Sequence, residues 1–483
     1  MTSLSNNDVY RDLLERLEIS IIPLRDINEN LRFEAEHFQR KYHRLFATMN
    51  TLDCRPIKEL IASPVHTGST PSMKEPRYYE GGVYPLIKTD NLRENAVVGE
   101  FTDHLTQQGY DKLKNVHLQP DDIIVTIIGA TYDVIGRCAL VRTNILPATI
   151  NQNIALIRPD RRQIVPEYFV TYLNSRYGRL YLEYLSRQAN QVNLNCREIE
   201  EVLVPLFSLD FQGKIGNIVR AAYEKLTSAE NIYRDADRLL MQELGLSEFT
   251  PSREQISVRS FKDIMQTGRI DAEYYQPKYD DLADKMKLFS HDTVESGCNV
   301  YEVDFKPDKN AKYKYIELAN IGTFGEINSC TYDFGSELPS RARRIVHSGN
   351  IIISSIEGSL QSCAIITDDY DGALCSTGFY VIDSDKINSE TLLVLFKSAP
   401  MQVLLKQQCT GTILTAFSRD GLLTIPLPNV SADLQDKVKS CITESFIYRS
   451  TSTNLLTMAK HAVEIAIEQS EAAAINYLSN HLK

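Results

Sequence analysis

The sequence runs to 483 residues, with 43% hydrophobic and 24% charged side chains and a formal net charge of -11 at pH 7. That length exceeds a single hydrophobic core and predicts two domains of ~200 residues, or several smaller ones; the composition excludes a disordered or fibrous chain. The acidic balance argues against nucleic acid, whose binding depends on cations releasing condensed counterions, unless basic residues cluster on one face and acidic ones occupy spacer or partner surfaces.

Nine cysteines (Cys54, Cys138, Cys196, Cys298, Cys330, Cys363, Cys375, Cys409 and Cys441) are scattered singly, with no CxxC pair. Reduced thiols in a cytoplasmic protein are the expectation. The opening residues show no basic segment followed by an apolar one, and no stretch approaches the ~20 apolar residues of a membrane span. A soluble protein without membrane association is therefore expected.

Along the chain, Ile19 to Tyr42 (ISIIPLRDINENLRFEAEHFQRKY) comes first, and it returns as Ile256 to Tyr279 (ISVRSFKDIMQTGRIDAEYYQPKY) with ten of 24 positions identical. Gly68 to Ile87, GSTPSMKEPRYYEGGVYPLI, is a loop with aromatics and glycines leading to a strand. Leu118 to Gly129, LQPDDIIVTIIG, is a turn followed by a β-branched run that predicts a buried strand, and Val346 to Gly358, VHSGNIIISSIEG, repeats it. Glu201 to Ile215 gives a short strand, a proline, a loop and a helix, and Gly421 to Val438 repeats that order. The offset between copies shrinks from 237 at Tyr42/Tyr279 to 228 at Asp122/Asn350 and 221 at Pro205/Pro426. A collinear, shrinking offset means an internal repeat with a shorter second copy.

Each copy ends in a long helical pattern, near 212 to 247 and 434 to 474. In the first, Ile215, Val219, Ala222, Leu226, Ala229, Tyr233, Ala236 and Leu240 follow the four-three spacing of a coiled-coil seam. The second places Ser445, Ser452, Ala459, Ala466 and Ala473 at every seventh position. Small residues in register on facing helices let the backbones approach closely, so the two helices are expected to pack as an antiparallel coiled coil between two α/β (mixed α+β) units.

The G-x-T-P-S loop of Gly68 to Ile87, and the closing element Gln188 to Ile215 (QANQVNLNCREIEEVLVPLFSLDFQGKI), resemble the specificity subunits of type I restriction-modification systems. Tyr313 to Ile327 and Thr410 to Pro428 keep the pattern in weaker form, without the G-x-T-P-S loop. The resemblance implies a target-recognition domain at 1–210, a spacer helix at 211–250, a second recognition domain at 251–430 and a second spacer helix at 431–483. It further implies a non-catalytic, DNA-binding subunit that reads a bipartite double-stranded target, partnered by two DNA adenine methyltransferase subunits and by ATP-dependent restriction/translocase subunits in phage defence.

The residues agree that chemistry lies elsewhere. There is no NPPY or DPPY tetrapeptide for a flipped adenine, no phosphate loop for ATP and no His spacing for a metal, so no cofactor is expected. Asp121-Asp122 and Asp368-Asp369 read as solvated turn residues.

Reading duplex DNA needs cations for phosphates and forked or amide side chains for base edges. The first copy offers Lys74, Arg77, Lys88, Asn91, Arg93, Thr131, Tyr132, Gln188, Asn190, Gln191 and Asn193. The second offers Lys306, Lys312, Lys314, Asn320, Arg341, Arg343, Arg344, Ser359 and Gln361. The arginines at 341, 343 and 344 stand out, because neighbouring guanidiniums repel one another unless an anion is close. The acidic surplus falls on the helices, at Glu224, Glu230, Asp235, Asp237, Glu243, Glu248, Glu444, Glu464, Glu468 and Glu471, and is expected to face solvent or partner subunits. Other readings are the same reader in another phage-defence complex, a self-sufficient methyltransferase-nuclease, which the missing motifs disfavour, and a coiled-coil scaffold that binds only protein.

Overall fold

The computed structural model describes residues 35–98, 101–129, 131–132, 134–188, 192–247, 249–252, 254, 256–289, 292–411 and 415–482. Most of the first repeat segment, Ile19 to Tyr42, lies outside them. The chain forms two units: unit 1 joins residues 1–224 to 451–483, and unit 2 is 225–450.

Unit 1 is built on a four-stranded antiparallel sheet in the order Ile61–Thr67, Ile154–Pro159, Ile123–Thr126, Cys138–Leu140. The Ile-Ile-Val-Thr strand is buried along its whole length because both of its faces are covered. Alternate side chains of a strand point to opposite faces. Ile123 and Val125 enter a core made with the helices Pro166–Asn174 and Arg176–Leu185, while Ile124, Ala139 and Leu156 enter a second core. Over that second core lies a small sheet in which Thr149–Ile150 runs parallel to Tyr84–Ile87, itself antiparallel to His104–Leu105.

Unit 2 repeats this plan. Its larger sheet runs Asn299–Tyr301, Phe379–Asp383, Ile351–Ser354, Cys363–Ile365. Ile351 and Ile353 face the helical core, with Ser389–Lys397 and Ala399–Gln408, and Ile352, Ala364 and Val381 face the other. The second sheet runs Thr331–Phe334, Lys312–Ile316, Leu374–Ser376, Ala342–Ile345, again with one parallel pairing, Tyr315 and Ile316 beside Leu374 and Cys375. The repeat in sequence is a repeat of layers and of strand order.

Three local features show how equivalent positions do equivalent work. Asp122 accepts a hydrogen bond from the Gln119 N–H at 2.7 Å, and Asn350 does the same for His347 at 2.8 Å, each closing the turn before the central strand. Asp122 is only 2% exposed and is bridged at 2.8 Å by Arg158, so it is a buried ion-pair partner and not the solvated turn residue expected. Unit 2 keeps the contact but exchanges the ion pair for an amide–carboxylate hydrogen bond, with Asn350 donating to Asp383 at 3.1 Å. Gln212 accepts from the Val165 N–H (3.1 Å) and donates to the Phe207 carbonyl (2.9 Å). Gln435 accepts from the Asn388 N–H (2.8 Å) and donates to Val430 (2.9 Å) and Lys386 (3.0 Å). Val165 and Asn388 are the N-caps of equivalent helices, so one glutamine in each unit ties a long helix to the globular part.

The long helices are Leu209–Glu243 and Ala432–Glu468. In unit 1, Ile215, Ile218 and Val219 share a core with Ala459, Val463 and Ala466; in unit 2, Tyr233, Ala236 and Leu240 share one with Leu434, Val438 and Ile442. The first helix starts in unit 1 and ends in unit 2 and the second does the reverse, so they pack antiparallel. Ala222, Ala229, Tyr233, Ala236, Ser445, Ser452, Ala459 and Ala466 are all buried and Leu226 is half-buried. Their small size lets the Ser445 hydroxyl reach the Ala229 carbonyl at 2.8 Å.

Three expectations are corrected. The second helix ends at Glu468, and Ser470 caps a separate helix, Glu471–His481, which holds Ala473. The second copy's closing strand is reduced to one bridge, Thr293 with Pro426, where unit 1 pairs Cys54–Pro56 with Leu203–Pro205. Part of the acidic surplus is also internal to unit 1. Glu464 accepts from the Arg176 N–H (2.8 Å), Glu468 from the Tyr177 hydroxyl (3.0 Å), and Glu471 from the Ser208 N–H (2.9 Å) at the start of the first long helix. Glu248 lies outside the described residues.

Candidate nucleic-acid interface

In each unit two loops distant in sequence meet at one end of the larger sheet. In unit 1 the strand Ile128–Gly129 pairs with Val192–Asn193, which pairs with Arg187–Gln188. This brings Thr131, Tyr132 and Asn193 to one place; Thr131 and Asn193 are exposed, and Tyr132 packs partly on the core. Asn190 and Gln191 lie outside the described residues, as does the side chain of Gln188. Unit 2 builds the same junction from Cys409–Thr410 paired with Ala416–Phe417, an Ile356–Ala416 bridge, and a Glu357 N–H donated to the Thr415 carbonyl at 2.9 Å. Ser359 and Gln361 sit there, on a depression of about 310 Å³ that Gln402 and Lys406 also line. The Ser359 hydroxyl is shared with Ser354 at 2.8 Å, and the exposed Gln361 side chain faces outward.

The remaining unit 1 candidates lie around the small sheet. Gly68 is required where it stands: a Cβ there would come within 1.8 Å of the Ile150 carbonyl oxygen. The Tyr79 hydroxyl donates to the Pro71 carbonyl at 2.6 Å, pinning the G-x-T-P-S loop from its other end. Lys74 is exposed. Arg77 pairs with Glu75 and covers the Tyr78 ring at 4.8 Å, and Lys88 pairs with Asp103 at 2.5 Å. Arg93 donates to the Asp90 and Leu92 carbonyls at 3.1 and 3.2 Å. Asn91 is buried, accepts from the Lys88 N–H (3.1 Å) and closes a single turn of 3₁₀ helix; Asn320 does the same for Glu317 (2.8 Å) and donates to Ser329 (2.9 Å). These two amides are engaged in holding turns.

In unit 2, Lys306 and Arg341 are exposed, and neither has a carboxylate partner among the described residues. The arginine cluster divides. Arg343 lies 3.7 Å from Asp304, and Arg344 lies 3.9 Å from Glu302, covers the Tyr380 ring at 5.3 Å and donates to the Phe379 carbonyl. The anions that relieve the repulsion are therefore carboxylates of the same unit for two of the three. Lys312 sits over the rings of Tyr332 (5.5 Å) and Phe334 (4.7 Å), and Lys314 over Tyr370 (5.5 Å), with its ammonium donated to the Asp369 carbonyl. Tyr332 and Phe334 escaped the sequence analysis. Their signal was the alternation Thr-Tyr-Asp-Phe, which reads as an ordinary strand unless its exposed face is known.

Burial pushes the thiols of Cys138 and Cys375 up to about 12 and that of Cys363 up to about 11, which keeps them protonated and weakly nucleophilic at neutral pH. Among the described residues no group of three or more His, Cys, Asp or Glu could hold a metal ion, and no helix is long and apolar enough to cross a membrane. The arrangement can bind, with exposed cations, amides and rings presented on rigid sheets.

Residues 50–233 match the family model described as "Type I restriction modification DNA specificity domain". The Escherichia coli "Type I restriction enzyme EcoBI specificity subunit" is 29% identical over 163 residues, 34% of this chain; the match spans 33% of the relative's own length. Among solved structures, the S subunit of a type I restriction-modification system from M. genitalium aligns with a TM-score of 0.38 at 13% identity, over 87% of this chain and 96% of that one. The HsdS subunit from Thermoanaerobacter tengcongensis aligns with a TM-score of 0.29 at 14% identity, over 86% and 96% of the two chains.

Proposed function

We propose that this chain, which carries a type I restriction modification DNA specificity domain over residues 50–233, is the DNA-reading specificity subunit of a type I-like restriction-modification complex and has no catalytic site of its own. Each unit reads one half of a bipartite double-stranded target, and the paired helices serve as spacer. The observation that carries this reading is the doubled two-loop junction. The same scaffold presents Thr131, Tyr132 and Asn193 in unit 1 but the exposed Gln361 in unit 2, as expected of two readers with different half-sites. Base edges in the major groove are discriminated by such hydroxyl and amide groups.

A protein partner is supported by a second observation. In the repeated segment of unit 2, Ile256, Val258, Phe261, Met265 and Ile270 are all more than two-thirds exposed or at that limit, with 67% the lowest value. Their counterparts Ile19, Ile21, Leu24 and Phe33 are also apolar, with Asn28 in place of Met265. Exposed apolar strips of this kind mark interaction sites, and an apolar sequence pattern that recurs once per repeat suits two copies of one subunit. These copies are the adenine methyltransferases, with ATP-dependent translocase subunits joining for restriction, all inside the cell.

The test is to assemble the chain with the products of its neighbouring genes and read the methylated motif by long-read sequencing. A bipartite motif is expected, and exchange of Gly68 to Asn195 for the matching segment of a related protein should change one half only. A continuous palindrome, or a swap that changes both halves, would refute the two-reader reading.

A further inference from the structure

The second sheet of unit 2 lengthens a feature that unit 1 has in short form, where only Tyr84 and Pro85 pair with His104 and Leu105 beyond the parallel strand. Strand Thr331–Phe334 is the sheet's edge and pairs antiparallel with Lys312–Ile316 along its whole length, Lys312 opposite Phe334 and Lys314 opposite Tyr332. The next strand, Leu374–Ser376, meets only Tyr315 and Ile316. Residues Lys312 to Lys314 and Tyr332 to Phe334 therefore extend beyond the third strand as a two-stranded ribbon. Its inner face is anchored. Tyr313 accepts from the Asp308 N–H at 3.1 Å, packs edge-on to Phe305 at 5.9 Å and joins the small core of Tyr315, Ala342 and Leu374. Gly335 closes the far end of the ribbon, beside Phe334, since a Cβ there would come within 2.2 Å of the Asp308 carbonyl oxygen.

The outer face presents two lysines and two rings, all exposed, with Tyr332 at 62% and Phe334 at 42%. Neither lysine has a carboxylate within ion-pair distance among the described residues, whereas the cation that follows the equivalent strand of unit 1, Lys88, is neutralised by Asp103. Lysines often guard an edge strand against pairing with other chains, but here they lie on the inner strand, and the edge strand carries the aromatics. Edge protection therefore does not account for them. Two uncompensated ammoniums suit an anionic polymer. Two rings exposed on one face of the two strands suit apolar contact with base edges, such as the thymine methyl.

We propose that this ribbon enters the major groove of the half-site read by unit 2, with Lys312 and Lys314 on phosphates or guanine edges and Tyr332 and Phe334 against the bases. It rests on the specificity-subunit reading. The dimensions agree, since the major groove is about 12 Å wide and admits a two-stranded ribbon, whose strands lie roughly 4.8 Å apart.

The experiment uses the assembled complex with Tyr332→Ala/Phe334→Ala, Lys312→Ala/Lys314→Ala and Lys312→Arg/Lys314→Arg. Because the four side chains are exposed, thermal melting should match the parent in all three. The aromatic pair should relax one or two positions of a single half-site, with discrimination falling roughly tenfold. The alanine pair should lower the slope of log affinity against log salt by about 1.8, two phosphate contacts at ~0.9 each, and the arginine pair should retain it. A wild-type motif and slope in both alanine variants, or a change in the other half-site, would overturn the ribbon and leave the two-reader function standing. A parent complex with no bipartite motif would overturn that function and the ribbon with it.

Discussion

The paired glutamines offer a controlled perturbation, because the same side chain does the same work twice at different burial. Gln212 is 2% exposed, and its removal leaves the Val165 N–H and the Phe207 carbonyl without partners. A buried backbone group stripped of its partner costs about 1–3 kcal/mol. With two such groups and the truncated side chain, Gln212→Ala should cost about 3 kcal/mol. Gln435 makes three comparable hydrogen bonds but is only half-buried, so water can take over part of its role. Gln435→Ala should cost about 1 kcal/mol. Urea unfolding of the full chain, followed by fluorescence of unit-specific labels, would separate the two transitions that a two-unit protein allows. Gln212→Ala should move the unit 1 transition and Gln435→Ala, more weakly, that of unit 2. Equal losses would show that burial does not set the cost, and no loss at Gln212 would show that the helix is held by its apolar face alone.

Ala229→Leu or Ala459→Leu should force the helices apart and cost roughly 1–3 kcal/mol by overpacking, measured as a fall in denaturant midpoint; unchanged stability would place the seam elsewhere. Burial raises the Asp237 carboxyl above the usual carboxylate range. The folded protein thus holds that proton more tightly than the unfolded chain, and the stability it contributes is present below the unfolded value of about 3.9 and is lost as pH rises through the folded one. Asp237→Asn should therefore raise the melting temperature at pH 7 and leave it unchanged at pH 3. Arg341→Glu should reduce the salt slope of DNA binding with no loss of fold, whereas Arg344→Glu should lower the melting temperature, because that side chain is 12% exposed and bonded to the Phe379 carbonyl.

Local pattern carried the elements that are decided locally. Ile123–Thr126 and Ile351–Ser354 were legible as buried strands because β-branched runs after a turn have few alternatives, and Ala222, Ala229 and Ala236 announced a close helix contact through their spacing. What stayed hidden depends on partners far along the chain. Asp122 reads as a surface turn residue until Arg158 is brought onto it, and Glu471 as a solvated acid until it meets Ser208. Asn91 and Asn320 have the chemistry of base readers, yet a turn three residues long consumes it. The pairing of Lys312 with Phe334 and of Lys314 with Tyr332 required a register that no single segment specifies.

The division of the chain has a consequence for its synthesis. Unit 2 is continuous, residues 225–450, while unit 1 needs residues 451–483 to join its first 224. Ala459, Val463, Ala466, Ala474 and Leu478 belong to the same core as Ile215 and Val219. Domains tend to fold in the order in which they leave the ribosome. Here that order is inverted: residues 225–450 can reach their final structure while the earlier-made part still waits, with apolar surface uncovered, for residues 451–483 to emerge. A premature stop near residue 450 would therefore spare the unit beside it and damage the one that was translated first.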